Sequence, residues 1–126
     1  DKLGVREDID LLGYQENPYA FLKHASLFVL SSLWEGSPNV LTEALATGCP
    51  VVSTDCPSGP KETLQNGKFG PLVPMNDVEA LTKAMHETLT HPLPAEVLIS
   101  ATENFTTLNS AKQYLKAMGY KHGVNA

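Results

Sequence analysis

Apolar runs and stretches of helical spacing alternate along the chain: IDLLG (9–13), PYAFLKHA (18–25), LFVLSS (27–32), PNVLTEALATG (38–48), VVSTD (51–55), GPKETLQNG (59–67), FGPLVP (69–74) and DVEALTKAMHETL (77–89). Strand then helix, repeated, is the order of an α/β domain with a parallel sheet. Leu27-Phe28-Val29-Leu30 has no polar alternation, as a central strand covered on both faces requires, and it is assigned with Val51-Val52 to the middle of the sheet. The helix from Pro38 is the best marked. Ser37 is placed to cap it, Pro38 suits a first helical position, Gly48 ends it, and Val40, Leu41, Ala44 and Leu45 form its buried stripe. A helix over 77–89, starting at Asn76 or Asp77, has Val78, Leu81, Ala84, Met85 and Leu89 at core spacing. Beyond HPLP (91–94), two helices are predicted over 94–104 and 108–118, broken around 105–107, in a tail free to pack elsewhere. The closing GYKHGVNA (119–126) is expected to fray.

At 126 residues, with 42% hydrophobic and 18% charged content, one compact core is expected. The chain starts at Asp1 without Met and is expected to be a piece of something longer. A net charge of −5 with nine scattered basic residues excludes a nucleic-acid binder, which needs clustered Lys and Arg. Any phosphate must therefore be held locally. Cys49 and Cys56 lack metal-ligand spacing and are expected as buried, reduced thiols. No run approaches the roughly 20 apolar residues of a membrane-spanning helix, and no signal-peptide pattern opens the chain.

Candidate chemistry concentrates in SSLWEGSPN (31–39), between strand 27–32 and helix 38–48. In an open parallel sheet this is the rim where ligands bind, at the carboxyl ends of strands and the N-termini of helices. A helix start leaves N–H groups unpaired and suits phosphate oxygens, and Gly36 lets backbone come close to a ligand. Glu43 lies one turn or so inside the helix, roughly 7.5 Å along the axis, with its side chain tilted toward the N-terminus. Two acids beside an anion site repel a bare phosphate but accept hydrogen bonds from sugar hydroxyls. A nucleoside diphosphate sugar, with phosphates in the middle and a hydroxyl-rich ring on each side, would use both Glu35 and Glu43. From spacing alone a second reading stays open, with Glu35 a solvated loop acid and Glu43 on an exposed helical face. His24, His86, His91 and His122 have no partner at metal-ligand spacing, Trp34 is expected to pack, and Lys61 is expected to be solvated.

SSLWEGSPNVLTEALATGCPVVSTDCPSGPKETL resembles the signature of the retaining GT-B glycosyltransferases of the "glycosyl transferases group 1" family, known from bacterial capsule, lipopolysaccharide and glycogen-type synthases. The matching features are the E-x7-E pair Glu35/Glu43, Gly36, Pro38 and Asn39 between them, EALATGCPVV after them, and the turn at Gly59, Pro60 and Glu62. Upstream, LLGYQENPYAFLKHASLFVLSS is similar to the same family's approach to this motif. The resemblance covers roughly residues 3 to 90. It implies an α/β, Rossmann-like parallel sheet with helices on both faces, the C-terminal half of a GT-B fold incomplete at its N-terminus. Residues 1–90 would then be a partial nucleotide-sugar-binding domain and 91–126 a C-terminal helical tail.

By the same resemblance Glu35 sits by the transferred sugar as the catalytic residue and helps to position the donor. Gly36, Ser37, Pro38, Asn39, Val40 and Leu41 lie along the sugar and diphosphate, Glu43 holds the ribose hydroxyls, and Gly13 and Tyr14, at the end of an earlier strand, pass near the base. The implied function is retaining transfer of a hexose to a glycan or lipid-linked acceptor held by an N-terminal domain. No metal or cofactor is implied, and PSGPKE leans toward a UDP-sugar rather than a GDP-sugar. The implied location is the cytoplasm, or the inner face of the membrane as a peripheral protein. Without the family's earlier Arg and Lys, the fragment alone is expected to bind donor weakly and to be inactive. A non-catalytic Rossmann-like binding module and a sugar-nucleotide epimerase of the same fold are the competing readings.

Overall fold

Three short runs of the chain pair into a parallel sheet, and the helices between them close over both of its faces. The computed structural model describes residues 2–120. After a 3-10 turn at Arg6–Asp8, the elements are α1 (Pro18–His24), β1 (Phe28–Leu30), α2 (Asn39–Ala46), β2 (Val51–Thr54), α3 (Pro60–Thr63), β3 (Leu72–Val73), α4 (Val78–Thr90), α5 (Ala95–Ser100), a second 3-10 turn (Glu103–Phe105) and α6 (Thr107–Ala117). The strand order is β1-β2-β3, with Phe28 beside Val51 and Thr54 beside Val73.

Because successive strand residues face opposite ways, β2 serves two cores at once. Val51 joins Leu41, Ala44 and Leu45 of α2, Leu22 of α1, Leu64, Phe69 and Leu98 of α5 on one face. Val52 joins Val73 and Ala84 of α4 on the other. All four residues of β2 are buried, as expected of a central strand, whereas Phe28–Leu30 of β1, expected in the middle as well, are half-buried at an edge of the described sheet. The expected α/β parallel sheet is thus observed, with strands shorter than the apolar runs suggested.

Helix ends follow from local chemistry. Asp77 caps α4 by accepting from the Ala80 N–H at 2.8 Å. The end of α2 is a full Schellman motif: Cys49 N–H donates to the Ala44 carbonyl at 3.0 Å and Gly48 N–H to that of Leu45 at 2.9 Å, with Gly48 at φ +76°. Cys49 and Ala44 both lie in the core on this side of the sheet.

Several expectations are corrected. Residues 9–13 form no strand, and Leu11 and Leu12 are exposed. An extended run needs a neighbouring ladder to satisfy its backbone, and no described strand pairs with it. Ser37 does not cap α2. Pro38, at ψ 83°, occupies the cap position instead, and the Ser37 carbonyl accepts from Asn39 N–H. In α4 the buried residue is Ala84, with Ala80 and Leu81 beside it, while Val78 and Leu89 are exposed. The helix turns its narrow, small-residue side to the sheet. The predicted 94–104 helix is split at its end into α5 and the second 3-10 turn. Rather than packing elsewhere, α5 buries Leu98 and Ala101 in the core shared with α2. The predicted fraying of 119–126 falls mostly outside the described residues.

Candidate functional site

The loop from Ser31 to Pro38 leaves the carboxyl end of β1 and turns into α2, and its shape is set by two neighbours. From β2, the buried Thr54 donates its hydroxyl to the Ser32 carbonyl at 2.6 Å. From the loop before α3, Gly59 lies so close that a Cβ there would fall 2.4 Å from Pro38 Cδ and 3.3 Å from the Gly36 carbonyl oxygen. Gly59 also has φ +90°, which side-chain-bearing residues resist. The turn at Gly59 and Pro60 is therefore the wall against which the Glu35 loop rests.

Within this frame Glu35 is half-buried and its Oε1 accepts from Ser32 Oγ at 2.6 Å. Glu43 is half-buried too, on the side of α2 that faces α1, and its Oε1 accepts from the Tyr19 hydroxyl at 3.2 Å. The Glu43 carboxylate pushes the Tyr19 phenol above its usual range, first by its charge and then by this hydrogen bond. Between the two acids, the amides of Gly36, Ser37 and Val40 have no hydrogen-bond partner among the described residues. They are open donors at a helix start, the group that carries partial positive charge. The arrangement offers donors in the middle and carboxylate oxygens at both ends of one short segment.

The remaining candidates sit apart from this segment. Gly13, at φ +65°, and the exposed Tyr14 belong to an irregular stretch rather than to a strand end, and no hydrogen bond ties them to the α2 loop. Trp34, expected to pack, is 77% exposed, because the loop lifts it off the sheet. Lys61 is exposed and lies 3.9 Å from Asp55. Cys49 and Cys56 are buried free thiols, and burial pushes the Cys49 thiol up. His24, His86 and His91 are exposed, and no His, Cys, Asp and Glu cluster fit for a metal occurs among the described residues. His122 lies outside them.

A hollow of about 550 Å³ lined by Val51, Phe69, Glu87, His91 and Leu98 lies at the amino ends of β2 and β3, at the other end of the sheet from Glu35. A smaller one of about 190 Å³ opens on the same rim as Glu35, between Ser31, Thr54, Asn76 and Leu81. Sequence reasoning missed the parts played by Tyr19 and Thr54. The only signal for Thr54 was a hydroxyl at the end of an otherwise buried strand, and Tyr19 carried none.

Comparison with known proteins adds the following. The family described as "Glycosyl transferases group 1" matches residues 1–91. An uncharacterized glycosyltransferase of Methanocaldococcus jannaschii is 55% identical over 64 residues, 51% of this chain and 16% of that protein. The "N-acetylgalactosamine-N,N'-diacetylbacillosaminyl-diphospho-undecaprenol 4-alpha-N-acetylgalactosaminyltransferase" of Campylobacter jejuni is 35% identical over 88 residues, 70% of this chain and 24% of that protein. The chain thus spans a quarter or less of the length of these two relatives. The solved apo structure of the lipopolysaccharide outer core galactosyltransferase WaaB superposes with a TM-score of 0.84 at 23% identity, over 96% of this chain and 36% of that one. At that identity the likeness is one of fold. Among the described residues no helix is long and apolar enough to cross a membrane.

Proposed function

The chain belongs to the glycosyl transferases group 1 family, and from that premise we propose that it carries the nucleotide-sugar half-site of a retaining glycosyltransferase. The donor is a nucleoside diphosphate hexose, with UDP favoured over GDP. Glu35 lies by the transferred sugar, Gly36 to Leu41 line the sugar and diphosphate, and Glu43 holds the ribose hydroxyls. Gly13 and Tyr14 are proposed to pass near the base.

One observation supports this reading above the others: three open amides, those of Gly36, Ser37 and Val40, fall along the chain between two half-buried glutamates. Amides without partners favour an anion, and acceptor oxygens at each end favour hydroxyl-bearing rings. A chain of net charge −5 can bind a diphosphate this way because the donors are backbone. During transfer the diphosphate departs and the acceptor hydroxyl attacks from the same face, while Glu35 and the loop amides fix the donor in place. The acceptor is proposed to be a glycan or a lipid-linked sugar, by analogy with the Campylobacter relative's named diphospho-undecaprenol substrate, and to reach the site from a further domain. The setting proposed is the cytoplasm or the inner membrane face.

Amide NMR titration of the chain with UDP, GDP and UDP-glucose tests this. Shifts are expected at Gly36 to Glu43, larger with UDP than with GDP, and weakened in Glu43→Ala. A flat response at these amides to every nucleotide would overturn the reading.

A further inference from the structure

We propose that Thr54 and Ser32 form a relay of positioning residues that aims Glu35 at the donor sugar, an inference that rests on the donor-site reading above. Thr54 is 4% exposed, at the end of the central strand, where both sheet faces hold it rigidly. Its hydroxyl donates to the Ser32 carbonyl at 2.6 Å and lies 3.4 Å from that of Leu30, so it clamps the chain where it leaves β1. Ser32, fixed through its backbone, donates its own hydroxyl to Glu35 Oε1 at 2.6 Å. A carboxylate that accepts a short hydrogen bond from a hydroxyl three residues back has one oxygen committed and its plane set. The other oxygen is left for a ligand.

The geometry also explains why a hydroxyl is needed at two places and not one. An exposed loop acid spreads over several staggered rotamers, and ordering it on binding would cost affinity. Ser32 alone could hold Glu35 only if its own backbone were fixed. The segment 31–38 has no ladder hydrogen bonds of its own, and its described anchors are Thr54 on one side and the Gly59 contact on the other. Preorganisation of the acid is thus borrowed from the core through a buried threonine. Thr54 touches no ligand in this scheme. It acts through Ser32.

The test uses the full chain and four forms: unaltered, Ser32→Ala, Thr54→Val and Thr54→Ser. Three-bond couplings to the Glu35 β-protons report its χ1 distribution without any ligand. A single rotamer is expected in the unaltered chain and in Thr54→Ser, with averaging in Ser32→Ala and Thr54→Val. An unchanged Glu35 rotamer in both Ser32→Ala and Thr54→Val overturns the relay, whatever binds. Titration with UDP and UDP-glucose then reads function. The preference for UDP-glucose over UDP should fall several-fold in Ser32→Ala and Thr54→Val, with UDP affinity itself unchanged, and be kept in Thr54→Ser. An equal preference in all four forms also overturns it. Failure of the unaltered chain to bind any nucleotide defeats the donor-site reading instead, and the rotamer result still decides whether the relay exists. Should Thr54→Val lose its folded amide spectrum, Thr54→Ala takes its place in both measurements, and an unchanged Glu35 rotamer in Ser32→Ala alone overturns the relay.

Discussion

Tyr19 and Glu43 form a pair whose behaviour with pH follows from one hydrogen bond. The phenol donates to the carboxylate, so losing the phenolic proton both removes the bond and sets two anions side by side, and its pKa rises above 10.0. A pKa raised by folding means that the contact adds stability below pH 10, and that this contribution fades as pH climbs through the raised value. Ring signals of Tyr19 followed by NMR should therefore titrate above 10.0 in the unaltered chain and fall back toward that value in Glu43→Gln. A titration that Glu43→Gln leaves unmoved would show that the pair does not form in solution. At this scale the sequence was readable for Glu35 and Glu43, because a glutamate pair around a Gly-Ser-Pro helix start is local in the chain. Their partners were not readable. Tyr19 lies 24 residues from Glu43 and Thr54 lies 22 from Ser32, and only the fold brings them together.

At the scale of elements, α2 is fixed at both ends by glycines that do different work. Gly59, from another loop, sets the position of its start, whereas Gly48 forms its end and lets α5 approach. A Cβ on Gly48 would lie 2.9 Å from the Ala95 Cβ, at a φ of +76°. Gly48→Ala should cost about 1–2 kcal/mol for the left-handed backbone alone, with a further penalty for pushing α5 away. Chemical denaturation of Gly48→Ala, Ala95→Gly and the double variant separates the two, since the crowding part predicts that the double variant is less destabilised than the sum of the singles. Strict additivity would mean that α5 is not seated against this turn. The periodicity rules found α2 and α4, the glycine that ends α2 and the aspartate that caps α4, because such signals are local, but they put Ser37 where Pro38 occupies the start of α2. They failed for residues 9–13, where a short apolar run does not say whether a neighbouring strand exists. They also failed for Val78 and Leu89 of α4, whose spacing fits a helix but not the narrow contact, centred on Ala84, that the sheet offers.

On the scale of the whole molecule, the buried core continues past residue 91 among the described residues. The family match ends at that residue, and the sequence beyond it adds nothing to the motif, which is why 91–126 read as a separate tail. Yet Leu98 and Ala101 are each 1% exposed and lie in the same cluster as Leu41 and Leu45 beneath the candidate site. By contrast α6 has no buried residue and packs on the Glu103–Phe105 turn. Two truncations should therefore behave differently. Ending the chain after Thr102 removes α6 and should leave the melting temperature and the Gly36–Glu43 amide shifts nearly unchanged. Ending it after Leu93 also removes α5, strips the cover from α2 and costs at least about 2 kcal/mol for the lost burial of one leucine. Because α2 carries Glu43 and the Val40 amide, and the loop with the Gly36 and Ser37 amides leads straight into it, nucleotide-induced shifts should shrink in the shorter form as well. Equal stability of the two truncations would return the boundary to residue 91 and detach α5 from the site. If they differ as expected, the unit proposed to hold the donor includes a helix on which the family's sequence signature is silent, since a cover helix needs only apolar bulk in the right place and no particular motif.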